Sequence, residues 1–461
     1  MAPTEAGTQP TKRLFPRLSG GSGGMTPERV ARHQKARLEG AMVEAVARDG
    51  YAATTLRELV AIAGVSKSTF YQHFESKQDC FLATFDEIVR RLQRQVEDAY
   101  DVDGDLRERL TAGLSTFMGL AVEQPAAASL AAVESLTLGA PGVEHREQAS
   151  LAFEAMLKRT FDESDPAHAV SPLTVIAIMA GIRGTVYRNI RRGTPERLPE
   201  LVGLLVEWAL SYQRPEGETT SRAIAAAERP VDLPSLRPPR KDPTKPGWNE
   251  PPDSPRSRAS LTQRERIVRG AAAVVIGGGY SALSIPAISR AAGVSNQTFY
   301  EHFDSKRDAF LASFEILVAE ALAIGGAAFG AEGQHPEAIG AGLRALLEEI
   351  AANEPFARMA FFELPSAGPV ALDRADAILD GFTAFLERGA APGELGNPPP
   401  RPILEAIPTG IWTVLQRELA HGRGASLPEL APDLARLVLA PFDWVGDRAG
   451  ARDHRASAPS G

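Results

Sequence analysis

Apolar side chains recur at helical spacing along most of the 461-residue chain. In the segment TLRELVAIA, Leu56, Leu59 and Ala63 stand at positions i, i+3 and i+7, which places them on one face of a helix. The same periodicity covers residues 29–212 and resumes over residues 261–445, with few strand-like alternations. This pattern predicts an all-α protein.

Polar segments interrupt the helical pattern at three places. Residues 1–28 are rich in Gly, Pro, Ser and Thr, which predicts a disordered tail. Residues 214–259 are dense in proline and charge, which predicts an extended linker that packs no core. Residues 448–461 form a second polar tail, also expected to be disordered.

One short sequence occurs twice in the chain. It reads AGVSKSTFYQHFESK at 63–77 and AGVSNQTFYEHFDSK at 292–306, an offset of 229 residues. The same offset relates Tyr51 to Tyr280 and the first LPEL segment to the second. A constant offset over so long a stretch predicts a tandem duplication of a unit of about 185 residues.

Each copy of the repeated sequence has the residues of a helix-turn-helix. Gly64 suits the left-handed conformation that ends a helix, and Ser66 suits the N-cap of the next helix. Phe70 and Phe74 stand four residues apart on one face and are expected to be buried. The remaining polar side chains then fall largely on exposed sides, where a helix that enters the major groove contacts DNA.

The predicted DNA contacts are polar side chains of the second helix and its flanks in both copies. They are Thr54, Ser66, Lys67, Ser68, Thr69, Tyr71, His73, Lys77, Ser295, Asn296, Gln297, Thr298, Tyr300, His302 and Lys306. For the two histidines, packing against the preceding helix is an equally good interpretation.

The charge of the chain restricts where nucleic acid could bind. The net charge is −8, so binding depends on a local basic surface. Residues 29–77 carry eight Lys or Arg against five Asp or Glu, and residues 256–307 carry eight against three. Both copies of the repeated sequence therefore lie in basic islands of an acidic chain.

Composition argues against several other classes of protein. A single cysteine, Cys80, excludes an intrachain disulfide framework and fits a reducing cytoplasm. No apolar run approaches the roughly 20 residues that span a bilayer, so no membrane partner is expected. The sequence has no metal-ligand spacing, nucleophile elbow or phosphate loop, which argues against an enzyme, and no cofactor is predicted.

Both copies resemble the N-terminal DNA-binding region of TetR-family transcriptional regulators. The segments that carry the resemblance are GYAATTL followed by AGVSKSTFYQHFESK, and GYSALSI followed by AGVSNQTFYEHFDSK. One position departs from the family pattern, since its usual glycine is Ser68 here and Gln297 in the second copy. Pro286, which replaces Arg57, is tolerable only in the first turn of a helix.

The resemblance implies a two-part, all-α subunit in which three small helices bind DNA and a larger helical domain binds an effector and dimerises. On this basis we expect DNA-binding domains at 29–76 and 260–305, and regulatory domains at 77–213 and 306–447. Family subunits dimerise to present two recognition helices roughly 34 Å apart. Two such subunits in one chain predict an intramolecular pseudo-dimer, with further oligomerisation left open.

The leading hypothesis is a sequence-specific regulator of transcription that acts on double-stranded DNA, namely a repressor released by a small apolar effector. Lys67 and Ser68 become Asn296 and Gln297 in the second copy. Asparagine and glutamine pair with adenine, whereas lysine favours guanine or phosphate, so the copies are expected to read an asymmetric operator. The alternative is an effector-binding or protein-interaction module in which one or both helix-turn-helix units no longer bind DNA.

Overall fold

Helices and turns build the whole described part of the chain, and no strand occurs within it. The computed structural model describes residues 26–237, 261–332, 335–353, 357–389 and 398–456. The prediction of an all-α protein is confirmed. The predicted tails and linker fall partly outside the described residues, at 1–25, 238–260 and 457–461.

The helices follow a similar order in the two halves of the chain. The first half contains α1 (Pro27–Ala53), α2 (Leu56–Ala63), α3 (Lys67–His73), α4 (Lys77–Tyr100), α5 (Leu106–Glu123), α6 (Pro125–Ala132), α7 (Ala140–Ser164), α8 (Pro172–Arg191) and α9 (Val202–Ser211). Between the halves lie α10 (Glu218–Ala227) and the short α11 (Leu233–Leu236). The second half contains α12 (Gln263–Gly278), α13 (Ile285–Ala292), α14 (Asn296–Tyr300), α15 (Lys306–Glu332), α16 (His335–Ala352), α17 (Pro369–Gly389), α18 (Arg401–Ala420) and α19 (Ala431–Ala456).

The chain forms two compact units that do not coincide with the two halves of the repeat. Unit 1 comprises Met1–Phe153 and Thr185–Val206. Unit 2 comprises Glu154–Gly184 and Glu207–Gly461. Unit 2 therefore combines the second half with parts of α7, α8 and α9 from the first half.

The core of unit 1 joins α1 and α3 to α4. Met42, Phe70 and Phe81 are fully buried in one apolar cluster. The Tyr51 ring packs edge-on against Phe81 with 5.0 Å between centroids, and the Tyr51 N–H donates to Glu134. The apolar faces predicted from the helical spacing converge in this cluster.

Unit 2 builds the same local core with the equivalent residues of the second half. Tyr280 packs edge-on against Phe310 with 5.1 Å between centroids, and its N–H donates to Glu363 at 2.7 Å. Each of these three residues follows its counterpart in unit 1 by 229 positions. The predicted duplication therefore extends to the contacts that hold each helix-turn-helix on its neighbours.

Small residues bring α8 and α18 close together within unit 2. A Cβ atom on Gly181 would lie 3.0 Å from the carbonyl oxygen of Ala406, and one on Gly410 would lie 2.7 Å from that of Ala177. The two glycines are equivalent at the 229-residue offset, and so are the two alanines. The contact is therefore reciprocal, which is the pattern of an interface with two-fold symmetry.

The expectation of an extended linker is wrong for the described part of 214–259. Helix α10 packs on α16 and α19, and Ala223 in its centre is fully buried. Arg222 donates two hydrogen bonds to Glu337, at 2.7 and 3.0 Å. Local composition conceals this helix, because its partners lie far along the chain, as for Glu337 and Asp443, which are 115 and 223 residues from the residues of α10 that they bind.

One further expectation needs correction. Helix α19 continues to Ala456, so residues 448–456 of the predicted C-terminal tail are helical. Helix α15 is long enough, and on average apolar enough, to cross a membrane. Glu315 and Glu320 interrupt its apolar stretch, and Phe310 and Phe314 are buried within unit 2, as in the core helix of a globular domain.

Candidate nucleic-acid interface

The first helix-turn-helix consists of α2, α3 and the turn between them. Thr55 and Glu58 form a capping box at the start of α2. Gly64 ends α2 with φ 61° and ψ 42°, in the left-handed region. Ser66 Oγ accepts from the Thr69 N–H at 3.0 Å and so caps α3. The turn and the cap predicted from the sequence are confirmed.

Two phenylalanines hold α3 in place and leave its polar face outside. Phe70 is fully buried and Phe74 is 3% exposed, as predicted. Lys67, Ser68 and Tyr71 are exposed on the other sides of the helix. The Lys67 Nζ lies 5.8 Å from the centre of the Tyr71 ring. This face offers a cation, hydroxyl groups and an aromatic ring, which are groups that contact phosphates and bases.

The second helix-turn-helix, formed by α13 and α14, has the same turn and cap. Gly293 adopts φ 65° and ψ 41°, and Ser295 Oγ accepts from the Thr298 N–H at 3.0 Å. Phe299 is fully buried, and Tyr300 is 60% exposed. Pro286 lies in the first turn of α13, where a proline is compatible with a helix.

The exposed face of α14 differs in chemistry from that of α3. Asn296 and Gln297 are exposed where the first copy has Lys67 and Ser68. Helix α14 ends after five residues, whereas α3 runs for seven. An amide both donates and accepts hydrogen bonds, as the major-groove edge of adenine requires, whereas an ammonium only donates.

Two lysines predicted to contact DNA are bound to backbone carbonyl groups. Lys77 Nζ donates to the carbonyl oxygens of Tyr51 and Thr54, at 2.9 and 2.8 Å, and burial lowers the pKa of Lys77. In the second copy, Lys306 Nζ donates to the carbonyl oxygen of Leu283 at 2.8 Å. These hydrogen bonds tie α4 and α15 to the loop before the helix-turn-helix, so we assign both lysines a structural role.

Thr54 lies inside the domain rather than on its exposed surface. The residue is 2% exposed, and its hydroxyl donates to the Gly50 carbonyl oxygen at 2.8 Å. Gly50 interrupts α1 with φ 78°, which turns the chain so that Thr54 faces inward. The predicted DNA contact by Thr54 is therefore corrected.

The two histidines lie against the first helix of each copy. His73 Nε2 is 3.1 Å from Gln34 Oε1, and His302 Nε2 is 3.3 Å from Gln263 Oε1. Burial, with a smaller effect of the nearby Lys35, lowers the pKa of His73. Of the two interpretations given to these residues, packing against the preceding helix fits this geometry better.

Two arginines near the turns were not predicted. Arg37 of α1 donates to the Gly64 carbonyl oxygen at 3.0 Å, from 27 residues away in sequence. Arg290 is exposed in the last turn of α13, where the first copy has Ala61. A position-by-position comparison of the two copies would have revealed Arg290, because the substitution adds a charge beside the turn. No local pattern points to Arg37.

Comparison with known families identifies both helix-turn-helix segments. Residues 40–84 and 267–312 each match the family described as bacterial regulatory proteins, tetR family. The outer limits of the expected DNA-binding domains, 29–76 and 260–305, and their division from the regulatory domains stay predictions.

Individual proteins are similar to this chain either over a short segment or at low sequence identity. The HTH-type transcriptional activator FasR of Mycolicibacterium smegmatis is 40% identical over 68 residues, which cover 15% of this chain and only 31% of that protein's length. The crystal structure of FadR from Bacillus subtilis in complex with stearoyl-CoA is 19% identical, covers 38% of this chain and 97% of its own, and has a TM-score of 0.36. A TetR family transcription regulator from Marinobacter aquaeolei VT8 is 22% identical, with 40% and 97% coverage and a TM-score of 0.34.

Proposed function

We propose that the chain is a transcriptional regulator of the tetR family, with two helix-turn-helix regions in tandem, and that it binds double-stranded DNA as a single-chain pseudo-dimer with two unlike reading heads. Head 1 is the exposed polar face of α3, and head 2 is that of α14. Their members are Lys67, Ser68, Thr69 and Tyr71 in head 1, and Asn296, Gln297, Thr298 and Tyr300 in head 2.

The observation that carries the pseudo-dimer is the reciprocal packing of α8 on α18. In a regulator made of two chains, such a contact joins two subunits, whereas here both helices belong to one chain. Further contacts in unit 2 support the same pairing. The Tyr212 hydroxyl, just after α9, donates to the Leu437 carbonyl oxygen of α19 at 2.9 Å, and Trp208 of α9 is fully buried.

The difference between the heads supports an operator with two unlike half-sites. A regulator with two identical subunits presents the same side chains twice and favours a palindrome. This chain presents a lysine and a serine in head 1 and two amides in head 2. We therefore propose that an A·T base pair is read by head 2 where head 1 reads guanine or binds phosphate.

Regulation by a ligand is a further part of the proposal. We propose a cytoplasmic repressor that a small apolar effector releases from DNA, because the large helical parts of both halves offer apolar interiors, with Met118 and Phe361 buried. Such an effector must bind the DNA-bound and free states unequally. Deletion of the protein is expected to raise transcription from its target; a fall would instead show activation, the role in the name of FasR.

Replacement of one exposed tyrosine at a time tests DNA binding by each head. Tyr71→Ala and Tyr300→Ala are each expected to raise the Kd for selected DNA about tenfold or more, measured by fluorescence anisotropy over a range of salt concentrations. Both rings are more than half exposed, so thermal unfolding should hardly change and serves as the control. If neither variant changes the Kd, the chain is better described as an effector-binding or protein-interaction module.

A further inference from the structure

We propose that the contact surface between the two halves accepts an unlike half and discriminates against a like one, most strongly against two second halves. This inference rests on the proposed pseudo-dimer. Three contacts within unit 2 depart from the symmetry of the repeat, and each depends on residues that differ between equivalent positions.

The first such contact is a buried ion pair between α7 and α18. Arg417 donates two hydrogen bonds to the Glu154 carboxylate, at 2.7 and 2.9 Å, and each side chain is only 9% exposed. At the 229-residue offset, Glu154 corresponds to Thr383, and Arg417 to Arg188. Two second halves would place Arg417 opposite Thr383. Two second halves would therefore form no such ion pair, so this pairing is the one most disfavoured.

The second contact matches a large residue to a small one. A Cβ atom on Gly184 would lie 2.6 Å from Thr409 Cγ2, so the threonine occupies space that the glycine leaves open. The equivalent positions hold Thr413 and Ala180. Two second halves would therefore oppose Thr413 and Thr409, which overpacks the contact, and two first halves would oppose Gly184 and Ala180, which leaves a gap.

The third contact is the docking of α10 on the second half, whose surface fits it where the first half does not. A Cβ atom on Gly340 would lie 2.1 Å from the Ala223 carbonyl oxygen, and α10 also donates to Asp443 at 2.5 Å. The first half has Thr111 and Arg214 at the equivalent positions. Thr111 would collide with the backbone of α10, and Arg214 cannot accept a hydrogen bond.

Together these contacts direct the chain to close on itself. When the second halves of two chains pair, they form none of these three contacts. When two first halves pair, they lack both the contact between Gly184 and Thr409 and the surface on which α10 docks. The assembly on DNA would therefore contain one head of each kind for every chain.

Cleavage of the folded, full-length chain between the halves puts this pairing rule to the test. A protease site placed within 238–260 leaves α10 on the first fragment, and native mass spectrometry of the diluted, cleaved protein reports which fragments remain together. We expect complexes of one first and one second fragment, with pairs of second fragments below about one per cent. A statistical mixture of the three possible pairs would overturn the pairing rule.

Substitutions separate matched packing from general stability. Glu154→Thr and Gly184→Thr each give the first half the residue of the second, and each is expected to raise the Kd of the cleaved halves about a hundredfold. Addition of Thr409→Gly to Gly184→Thr moves the threonine to the opposite helix and should recover at least about tenfold. Glu97→Thr, at an exposed position of α4, is the matched control and should bind as the wild type does.

The outcomes distinguish the inference from the proposed function. Separation of the cleaved wild-type protein into single fragments would overturn the pseudo-dimer itself. Persistence of the mixed pair, with Glu154→Thr and Gly184→Thr both binding like the wild type, would overturn only the pairing rule. Circular dichroism of each uncleaved variant shows that the chain is folded, so a loss of pairing is not a loss of structure.

Discussion

At the residue scale, Lys77 shows that a side chain present in both copies can stabilise the fold instead of contacting DNA. Its ammonium group binds the carbonyl oxygens of Tyr51 and Thr54. Lys77→Met is expected to lower the free energy of unfolding by about 2 kcal/mol, because hydrogen bonds to a charged group contribute about 1.5–3 kcal/mol. Urea unfolding followed by circular dichroism measures this loss.

Lys67 is the control for that experiment, because it is an exposed lysine of the same domain. Lys67→Met should change the free energy of unfolding by less than about 0.5 kcal/mol. It should instead reduce the salt dependence of DNA binding by about one phosphate contact. The opposite pattern, with an unchanged stability and a flatter salt dependence for Lys77→Met, would show that Lys77 binds phosphate.

Glu39 is a buried carboxyl in α1, and its counterpart in the second copy is Val268. Burial raises the pKa of Glu39 to about 7, with Lys35 acting in the opposite direction. A carboxyl group whose pKa is higher in the folded state binds protons on folding. Its contribution to stability is therefore full below the unfolded pKa of about 4.3 and is lost as the pH rises through about 7.

Glu39→Gln is expected to remove this pH dependence, because the amide does not titrate. At pH 8 the variant should be more stable than the wild type by about 1–3 kcal/mol, in urea unfolding measured at pH 5.5 and pH 8. Glu44→Gln, at an exposed position of the same helix, should keep the wild-type pH dependence. Equal slopes for Glu39→Gln and the wild type would contradict the assignment.

The residues that the sequence identified correctly have local partners. Gly64 ends the helix that precedes it, and Ser66 caps α3 by accepting a hydrogen bond from the N–H of Thr69, three residues along the chain. The partners of Lys77 lie 23 and 26 residues away, and Glu154 is 263 residues from Arg417. Turns and caps are encoded in neighbouring residues, whereas ion pairs across the fold require the fold to be known.

At the scale of elements, α10 tests whether the segment between the halves is part of the fold. Gly340→Ala adds a methyl group where a Cβ atom would lie 2.1 Å from the Ala223 carbonyl oxygen. We expect α10 to undock, and hydrogen exchange at residues 218–227 to accelerate at least about tenfold. Gly326→Ala, on α15 with nothing within 4 Å of the new methyl group, should leave this exchange unchanged. Equal protection in both variants would contradict the docking.

The two recognition helices give a second prediction at this scale. Gln297→Ala on α14 is expected to weaken binding to one half-site by about 1–3 kcal/mol, because a bidentate contact to a base contributes that much discrimination. Binding to probes in which one half-site at a time is scrambled measures the effect. A loss shared equally by both half-sites would show that the two heads read the same bases.

Sequence analysis missed one helix, because the residues around it in the sequence favour a linker. Helix α10 stands among prolines and charged residues, so composition favoured a linker. In contrast, α2 and α13 were recognised at once, since a turn glycine and a serine cap follow each of them.

At the scale of the whole molecule, the duplication was predictable because the offset of 229 residues is constant at many positions. The contact between the two halves was not predictable, since it depends on differences between single equivalent residues. Gly184 and Thr413 are equivalent in sequence, yet only the glycine accommodates Thr409. A tandem duplication can thus diverge at its internal contact surface and on the exposed faces of α3 and α14 while keeping the same fold.

The proposed function requires one chain to read two different half-sites. Selection of bound DNA from a random pool, followed by determination of the mass of the protein–DNA complex in solution, tests it most directly. We expect a site with two unlike halves, bound by a single chain of 49.3 kDa. A perfect palindrome that is bound only by two chains would contradict it.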